Sequence, residues 1–221
     1  MIITEEIPFL GCCLGTIDNL IVYRYRNRRC IRRKPSKVKP PSAPGQVAQQ
    51  ERMASIAIFY QALKEVGIYT YWQRAAEGML LNGYNLLVKG NLPAFSGDGR
   101  ICDFSKLRLT TGALALPDGL RVSRVEEGMW TVAWENTPNQ VNASPDDRLQ
   151  LYVMRDSETF AVKLLACGEV RRCDGRVSFR LPEELREYSH LYVAFCSHTE
   201  KRCSESKYFS LILKSIDYGS L

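Results

Sequence analysis

The sequence has few of the residues that most often carry out catalysis. Only two histidines, His190 and His198, occur among its 221 residues, and no G-x-S-x-G segment presents a serine nucleophile. A hydrolase needs a nucleophile, a base and an orienting acid, and neither histidine lies near such a set in the sequence. Both are expected to be surface or packing residues. The sequence therefore predicts a protein that is not an enzyme and that has no cofactor and no small-molecule substrate.

Two pairs of adjacent carboxylates, Glu126-Glu127 and Asp146-Asp147, lie in predicted turns. Such pairs can hold a metal ion or carry out acid–base chemistry. More often they keep a loop solvated, and this is the interpretation that we adopt for both pairs.

No two cysteines have the C-x-x-C spacing that is typical of a zinc site. The eight cysteines are Cys12, Cys13, Cys30, Cys102, Cys167, Cys173, Cys196 and Cys203. His198 lies between the last two, so a Cys/His metal site is the alternative at that place. The simpler interpretation is that the cysteines are small buried residues in strands, kept reduced in a cytoplasm. We therefore expect no metal.

Long apolar runs are also absent. No segment reaches the roughly 18 apolar residues that a membrane helix needs. The first residues carry Glu5 and Glu6 where a secretory signal would carry positive charge. The same acidic start disfavours a lipoprotein-type signal acylated at Cys12 or Cys13. These features predict no membrane contact and a cytoplasmic location, with a virion or other particle as the alternative.

Acidic residues are missing between Asn19 and Gln50, where the basic residues are concentrated. Nine lie there: Arg24, Arg26, Arg28, Arg29, Arg32, Arg33, Lys34, Lys37 and Lys39. Since the chain's formal charge is +6, this segment carries +9 and the remainder −3. Four nearby prolines, at 35, 40, 41 and 44, forbid a continuous helix. We predict a basic arm that lies on nucleic acid, on an acidic protein surface or on a neighbouring subunit.

Two short strands are expected in the arm, Ile17–Arg26 and Arg29–Lys34, with a tight turn at Asn27-Arg28. An isolated two-stranded ribbon is marginal in water, so its apolar residues should seek the sheet edge of another chain. The partner-binding set predicted from the arm comprises all nine basic residues together with Leu20, Val22, Tyr23 and Tyr25. It favours a homo-oligomer or larger assembly, such as a filament or a phage-like particle. Arginines interleaved with tyrosines also suit nucleic acid, which is the alternative partner.

Beyond the prolines, helical spacing predicts one helix from Gly45 to Lys64, ended by Gly67, and a second helix over Tyr69–Val88. From residue 104 the apolar period changes to two. Eight candidate strands follow: Lys106–Thr110, Leu120–Glu126, Trp130–Glu135, Leu149–Asp156, Thr159–Val170, Arg176–Leu181, His190–Cys196 and Tyr208–Leu213. About seven short strands in some 100 residues are typical of a β-sandwich.

The stretch from Leu181-Pro182 through Tyr188 resembles the corner before the penultimate strand of a fibronectin type III domain. The resemblance covers residues 118–214 and implies that Trp134 is the core tryptophan. We expect these residues to fold alone. Their inward-facing set is predicted to come from Trp134, Tyr152, Val153, Phe179, Val193 and Phe209. The predicted fold class is α+β, with a basic arm or β-ribbon and linker at 1–44, two helices at 45–104, and an immunoglobulin- or fibronectin-III-like antiparallel sandwich at 105–221.

The arm and the start of the first helix carry a further resemblance. Residues 33–41, 44–49 and Arg52 are similar to an R-x-x-P … P-x-T-x-x-Q … R-x-x-F stretch in a Bacteroidetes family of unknown function. The resemblance extends over the whole chain, although Ser42-Ala43-Pro44 stands where that family has a threonine and Ser55-Ile56 near its phenylalanine. It implies no activity and no catalytic residues.

Overall fold

The computed structural model describes residues 2–3, 14–25, 28–37, 40, 43–138, 140–155 and 160–211. The chain divides into two compact units, Met1–Ser42 and Ala43–Leu221, which we call the N-terminal unit and the body. The helical segment and the strand-rich segment both lie in the body. The fold is mixed α/β, with three α-helices and three antiparallel sheets in the described ranges.

The N-terminal unit is a four-stranded antiparallel sheet rather than a two-stranded ribbon. Its strands are β1 (Ile2–Ile3), β2 (Gly15–Ile17), β3 (Leu20–Tyr25) and β4 (Arg28–Arg33), in the order β1-β4-β3-β2. The two predicted strands are confirmed as β3 and β4, but the predicted start at Ile17 is wrong. Ile17 ends β2, and Asp18, whose φ is 49°, turns the chain into β3. Of the predicted turn, Arg28 belongs to β4, and Asn27 lies outside the described residues.

The first predicted helix is confirmed as α1 (Pro44–Glu65). It begins at a proline, which is tolerated in the first turn because the N–H groups there have no partner within the helix. It ends before Gly67, whose φ of 81° an L-residue rarely adopts. The single predicted helix over Tyr69–Val88 is wrong. The structure has α2 (Tyr69–Ala75) and α3 (Gly83–Asn91) instead.

Local signals explain the break between α2 and α3. Gly78 adopts a φ of 77°, which no helical residue does. Four residues later the Asn82 side chain accepts a hydrogen bond from Asn85 N at 2.7 Å and caps the start of α3. The apolar spacing continues across this turn, and that continuity produced the longer prediction.

The body contains two antiparallel sheets. One has three strands in the order β5-β6-β9: β5 (Arg121–Glu126), β6 (Met129–Ala133) and β9 (Arg176–Arg180). The other has four strands in the order β11-β10-β7-β8: β7 (Arg148–Met154), β8 (Val162–Leu165), β10 (His190–Cys196) and β11 (Lys207–Ser210). The strand predicted at Lys106–Thr110 is wrong. That segment begins in a 3₁₀ turn, Phe104–Lys106, and continues as irregular chain with Leu107 and Leu109 buried.

Two apolar cores lie in the body. The first joins the helices to the four-stranded sheet: Ile56, Phe59, Leu63, Trp72 and Leu87 share it with Tyr152, Met154, Tyr192 and Cys196. The second takes side chains from both sheets: Val132, Trp134 and Phe179 with Leu151, Val153, Leu191 and Phe195. The four-stranded sheet is therefore buried on both faces, and β10 is buried along its whole length. Of the predicted inward-facing set, Tyr152 belongs to the helix-covered core, and Phe209 is only half-buried.

One buried ion pair fixes a loop of the body onto the second core. Arg172 Nε donates to Asp147 Oδ2 at 3.3 Å, and both side chains are almost fully buried. The Arg172 guanidinium also lies 4.8 Å from the centre of the Phe195 ring, and its backbone carbonyl accepts from Trp134 Nε1 at 2.7 Å. The interpretation of Asp147 as a solvating loop residue is therefore wrong, while Asp146 is exposed as expected.

Candidate functional site

The predicted arm residues of β3 and β4 are divided between the two faces of the N-terminal sheet. Residues directly opposite each other in an antiparallel pair lie on the same face. Leu20 is opposite Arg33, and Arg24 is opposite Arg29, so these four residues share what we call the first face. Val22 lies between them on this face and is buried, whereas the arginines are exposed.

The opposite face carries the tyrosines. Tyr23 is opposite Cys30, and Tyr25 is opposite Arg28, so we call this the tyrosine face. The guanidinium carbon of Arg32 lies 6.0 Å from the centre of the Tyr23 ring, at the limit of a cation–π contact. This arrangement presents an aromatic ring and a guanidinium side by side on a sheet surface.

The other predicted basic residues lie outside the strands or outside the described residues. Lys34 follows β4, and its backbone N donates to Asn19 O at 2.6 Å. Lys37 lies exposed in the segment beyond. Arg26 and Lys39 fall outside the described residues. The prediction from the sequence placed all nine basic residues in one extended arm. In the structure, those of β4 lie on two faces of a sheet.

Exposed apolar side chains of the N-terminal unit lie near its β2 edge. Leu14 is 65% exposed, while Ile17 and Leu20 are each 42% exposed. Ile17 is the register partner of Leu20, so it belongs to the first face, beside the arginines. Sequence reasoning missed Leu14 and Ile17 because it did not predict β2. The signal was the apolar Ile17 immediately before the turn-forming Asp18-Asn19.

The alternative metal site at the last two cysteines does not form as proposed. Cys196 and Cys203 meet, with their Sγ atoms 2.8 Å apart, but His198 is exposed. In the described ranges, no group of three His, Cys, Asp or Glu side chains could hold a metal ion. His190 is buried and stacks on Phe104 with ring centres 3.6 Å apart, which confirms its interpretation as a packing residue.

A cavity of about 770 Å³ lies in the body beside this cysteine pair. Tyr71 and Arg74 of α2 line one side of it, and Lys201, Arg202 and Cys203 line another. Burial raises the pKa of Tyr71 far above its usual value, and the neighbouring Cys196 adds to the shift. No sequence pattern predicts this cavity, because α2 and residues 201–203, which line it, are more than 100 residues apart.

The described helices include none that is both long enough and apolar enough to cross a membrane.

Comparison with known proteins gives one match. No curated protein and no solved structure matches the sequence. The sequence model of a family of unknown function, DUF6266, matches residues 13–210, which include most of the N-terminal sheet and nearly all of the body. The chain therefore belongs to this family of unknown function.

Proposed function

We propose that this protein is a non-enzymatic interaction protein that assembles with further copies of itself through its N-terminal sheet. The observation that carries the proposal is the exposed apolar group Leu14, Ile17 and Leu20 in a sheet where only Val22 and Cys30 are buried among its described residues. A sheet of this size needs a packed face for stability. Exposed apolar side chains that adjoin a strand edge are typical of an interaction surface.

The edge strand supports strand addition as the mode of contact. β2 is the last strand in the order β1-β4-β3-β2, and all three of its residues, Gly15–Ile17, are exposed. A strand at such an edge offers backbone N–H and C=O groups to a strand of another chain. Main-chain hydrogen bonds and the apolar side chains would supply most of the affinity, because exposed ion pairs contribute only about 0–1 kcal/mol each.

Charge supports a defined orientation of the contact. The N-terminal unit has nine basic and three acidic residues and a net charge of +6, whereas the body has twenty-one of each and a net charge of zero. Because the body has no net negative charge, any acidic surface that binds the N-terminal unit must be a local cluster of carboxylates. One end of the three-stranded sheet offers exposed carboxylates on two segments that the Leu181 N to Gly128 O hydrogen bond of 2.9 Å holds together. They are Glu126, Glu127, Glu183 and Glu184.

A pair of matched substitutions tests the assembly. Leu20→Asp places a charge on the first face of the N-terminal sheet, and Leu164→Asp places one at a leucine of similar exposure in β8 of the body. We expect the full-length protein to be oligomeric at tens of micromolar by light scattering. Leu20→Asp should weaken the assembly about tenfold or more, and Leu164→Asp should leave it unchanged.

The complementary measurements use deletion and salt. Removal of residues 1–42 should give a folded monomer. Assembly of the full chain should persist at high salt, because buried apolar surface is not screened. A full-length protein that stays monomeric at these concentrations would contradict the proposal.

Nucleic acid is the second candidate partner, and a specific arrangement favours it. Tyr23, Tyr25 and Arg32 lie on one face, as a stacking platform for single-stranded bases would require. Arg24 and Arg29 lie directly opposite each other on the other face and add positive charge that suits phosphate contacts. If this candidate is correct, a labelled oligonucleotide will bind with an affinity that falls steeply with salt, and Tyr23→Ala will weaken binding.

We also propose that the body's two sheets form a sandwich of the fibronectin type III kind. The support is the division into β5-β6-β9 and β11-β10-β7-β8 and the apolar core to which both sheets contribute. A cytoplasmic or particle-associated location and a Bacteroidetes origin stay predictions. An experimental structure of the body would test the sandwich, and sheets that do not face each other would contradict it.

A further inference from the structure

The Cys196–Cys203 pair lies in the body and takes no part in the proposed assembly. Cys196 ends β10, and Cys203 lies opposite it on the return segment towards β11, in an isolated antiparallel bridge. Their Sγ atoms are 2.8 Å apart, and both residues are buried. Two thiols at this separation are in direct hydrogen-bond contact.

The backbone around the pair is already in the geometry of a cross-strand disulfide. Hydrogen bonds join the residues that flank the cysteines: Ser204 N donates to Phe195 O at 2.8 Å, and Ser197 N donates to Arg202 O at 2.9 Å. The two cysteines therefore occupy a non-hydrogen-bonded position of the ladder, where Cα atoms lie about 4.5 Å apart. Disulfides span Cα separations of about 4.4–6.8 Å. A bond between the two sulfur atoms needs no movement of the strands.

The cavity beside α2 supplies a route to one of the two sulfur atoms. Cys203 lines this cavity of about 770 Å³, whereas Cys196 does not. Arg74 and Lys201 also lie on its walls. A small oxidant would therefore meet Cys203 first.

We propose that Cys196 and Cys203 form a reversible dithiol–disulfide site that hydrogen peroxide oxidises. The Cys203 thiolate attacks one peroxide oxygen, the O–O bond breaks, and hydroxide leaves, so that Cys203 becomes a sulfenic acid. The Cys196 thiol then loses its proton and attacks the sulfenic sulfur. The S–S bond forms, the S–O bond breaks, and water leaves. The two thiols lose two electrons, the peroxide is reduced to two waters, and a dithiol reductant reverses the change.

Oxidation would close the loop 197–202 at its base. This loop supplies Lys201 and Arg202 to the cavity wall, and its Glu200 carbonyl accepts from Arg74 Nη1 at 2.5 Å. The disulfide would thus fix one wall of the cavity against α2. Burial raises the pKa of the Cys203 thiol, and its hydrogen bond with Cys196 adds to the shift. The rate of oxidation should therefore keep rising with pH above the ordinary thiol pKa of about 8.5.

Peptide mapping of the full-length protein tests the site directly. The protein is treated with hydrogen peroxide, its remaining thiols are alkylated, and it is digested with trypsin without reduction. Trypsin cleaves between the two cysteines, after Lys201 and Arg202, so they fall in peptides 187–201 and 203–207. Neither peptide contains another cysteine. We expect these two peptides to be linked, and to separate only after reduction.

Variants and melting temperatures complete the test. Cys203→Ala should abolish the linked peptides, and Cys102→Ala, at an exposed cysteine, should leave them intact. Closing a loop this short should raise the melting temperature of the oxidised protein by roughly 5 to 10 °C, reversibly with dithiothreitol. Recovery of both peptides in alkylated form after peroxide treatment would overturn the proposal. Sulfinic acid at Cys203 of the wild-type protein, without the linked peptides, would also overturn it.

Discussion

The chain contains two four-stranded antiparallel sheets that differ in what covers them. In the body, the sheet β11-β10-β7-β8 is buried on one face by the helices and on the other by side chains shared with the three-stranded sheet. In the N-terminal unit, Val22 and Cys30 are the buried side chains among the described residues, and Leu14, Ile17 and Leu20 are exposed. The two sheets thus have the same number of strands but bury very different amounts of apolar surface. The body's sheet is stabilised by apolar side chains of the body on both faces, while the N-terminal sheet leaves these three apolar side chains exposed.

The largest effect should follow from uncovering the body's sheet. A chain of residues 105–221 lacks the helices, so Tyr152, Met154 and Tyr192 would face water. We expect it to lose cooperative thermal unfolding and to bind a hydrophobic dye, contrary to the expectation that residues 118–214 fold alone. Residues 43–221 serve as the control and should unfold cooperatively. A soluble and cooperative 105–221 would show that the helical layer is dispensable.

A large effect is also expected at the core tryptophan. Trp134→Ala removes a buried ring from the core to which both sheets contribute and breaks its hydrogen bond to the Arg172 carbonyl. The free energy of unfolding should fall by roughly 3–5 kcal/mol, measured by urea denaturation. Trp134→Phe keeps most of the ring and should cost clearly less. An unchanged midpoint for Trp134→Ala would remove this residue from the core.

The buried ion pair gives a contrast between adjacent residues. Asp147→Ala leaves the Arg172 guanidinium buried without its carboxylate and should cost about 3–5 kcal/mol. Asp146→Ala breaks only the exposed pair with Arg171 and should cost about 0–1 kcal/mol. Chemical denaturation of both variants measures the difference. Equal costs for the two substitutions would mean that the burial of Asp147 contributes no stability.

The smallest effect on the whole molecule should come from the N-terminal sheet. Val22→Ala should destabilise that sheet by about 1–2 kcal/mol and speed amide hydrogen exchange in β3 and β4. Exchange in β10 should not change. Val193→Ala, at a buried valine of β10, should instead lower the midpoint of the body. If Val22→Ala lowered the body's midpoint equally, the two units would unfold together.

Sequence patterns identified the strands of the body well, but not the faces that they bury. Seven of the eight predicted strands are present, because alternation and turn residues are local signals. The prediction did not place the helices against the sheet. β10 offered a signal, because its uninterrupted apolar run from Leu191 to Cys196 is typical of a strand buried on both faces. The split of the second helix was missed because apolar spacing continued through Gly78.

The candidate site was predicted in composition but not in arrangement. Charge counting found the basic residues, since it needs no structure. Their division between the first face and the tyrosine face depends on the register of β3 with β4, and a shift of one residue would exchange the faces. The contact between Cys196 and Cys203 likewise depends on the register of their own bridge. Spacing along the chain does not reveal it.

The first core has a consequence for synthesis on the ribosome. Its helices end at Asn91, but β10, one of the strands that share this core with them, begins only at His190. At roughly 5–20 residues per second, the helices wait about 5 to 20 seconds for that strand. During this interval Phe59 and Trp72 lack the part of the sheet that β10 supplies. The nascent chain is therefore expected to engage a chaperone at α1 and α2 and to be released once β10 has emerged.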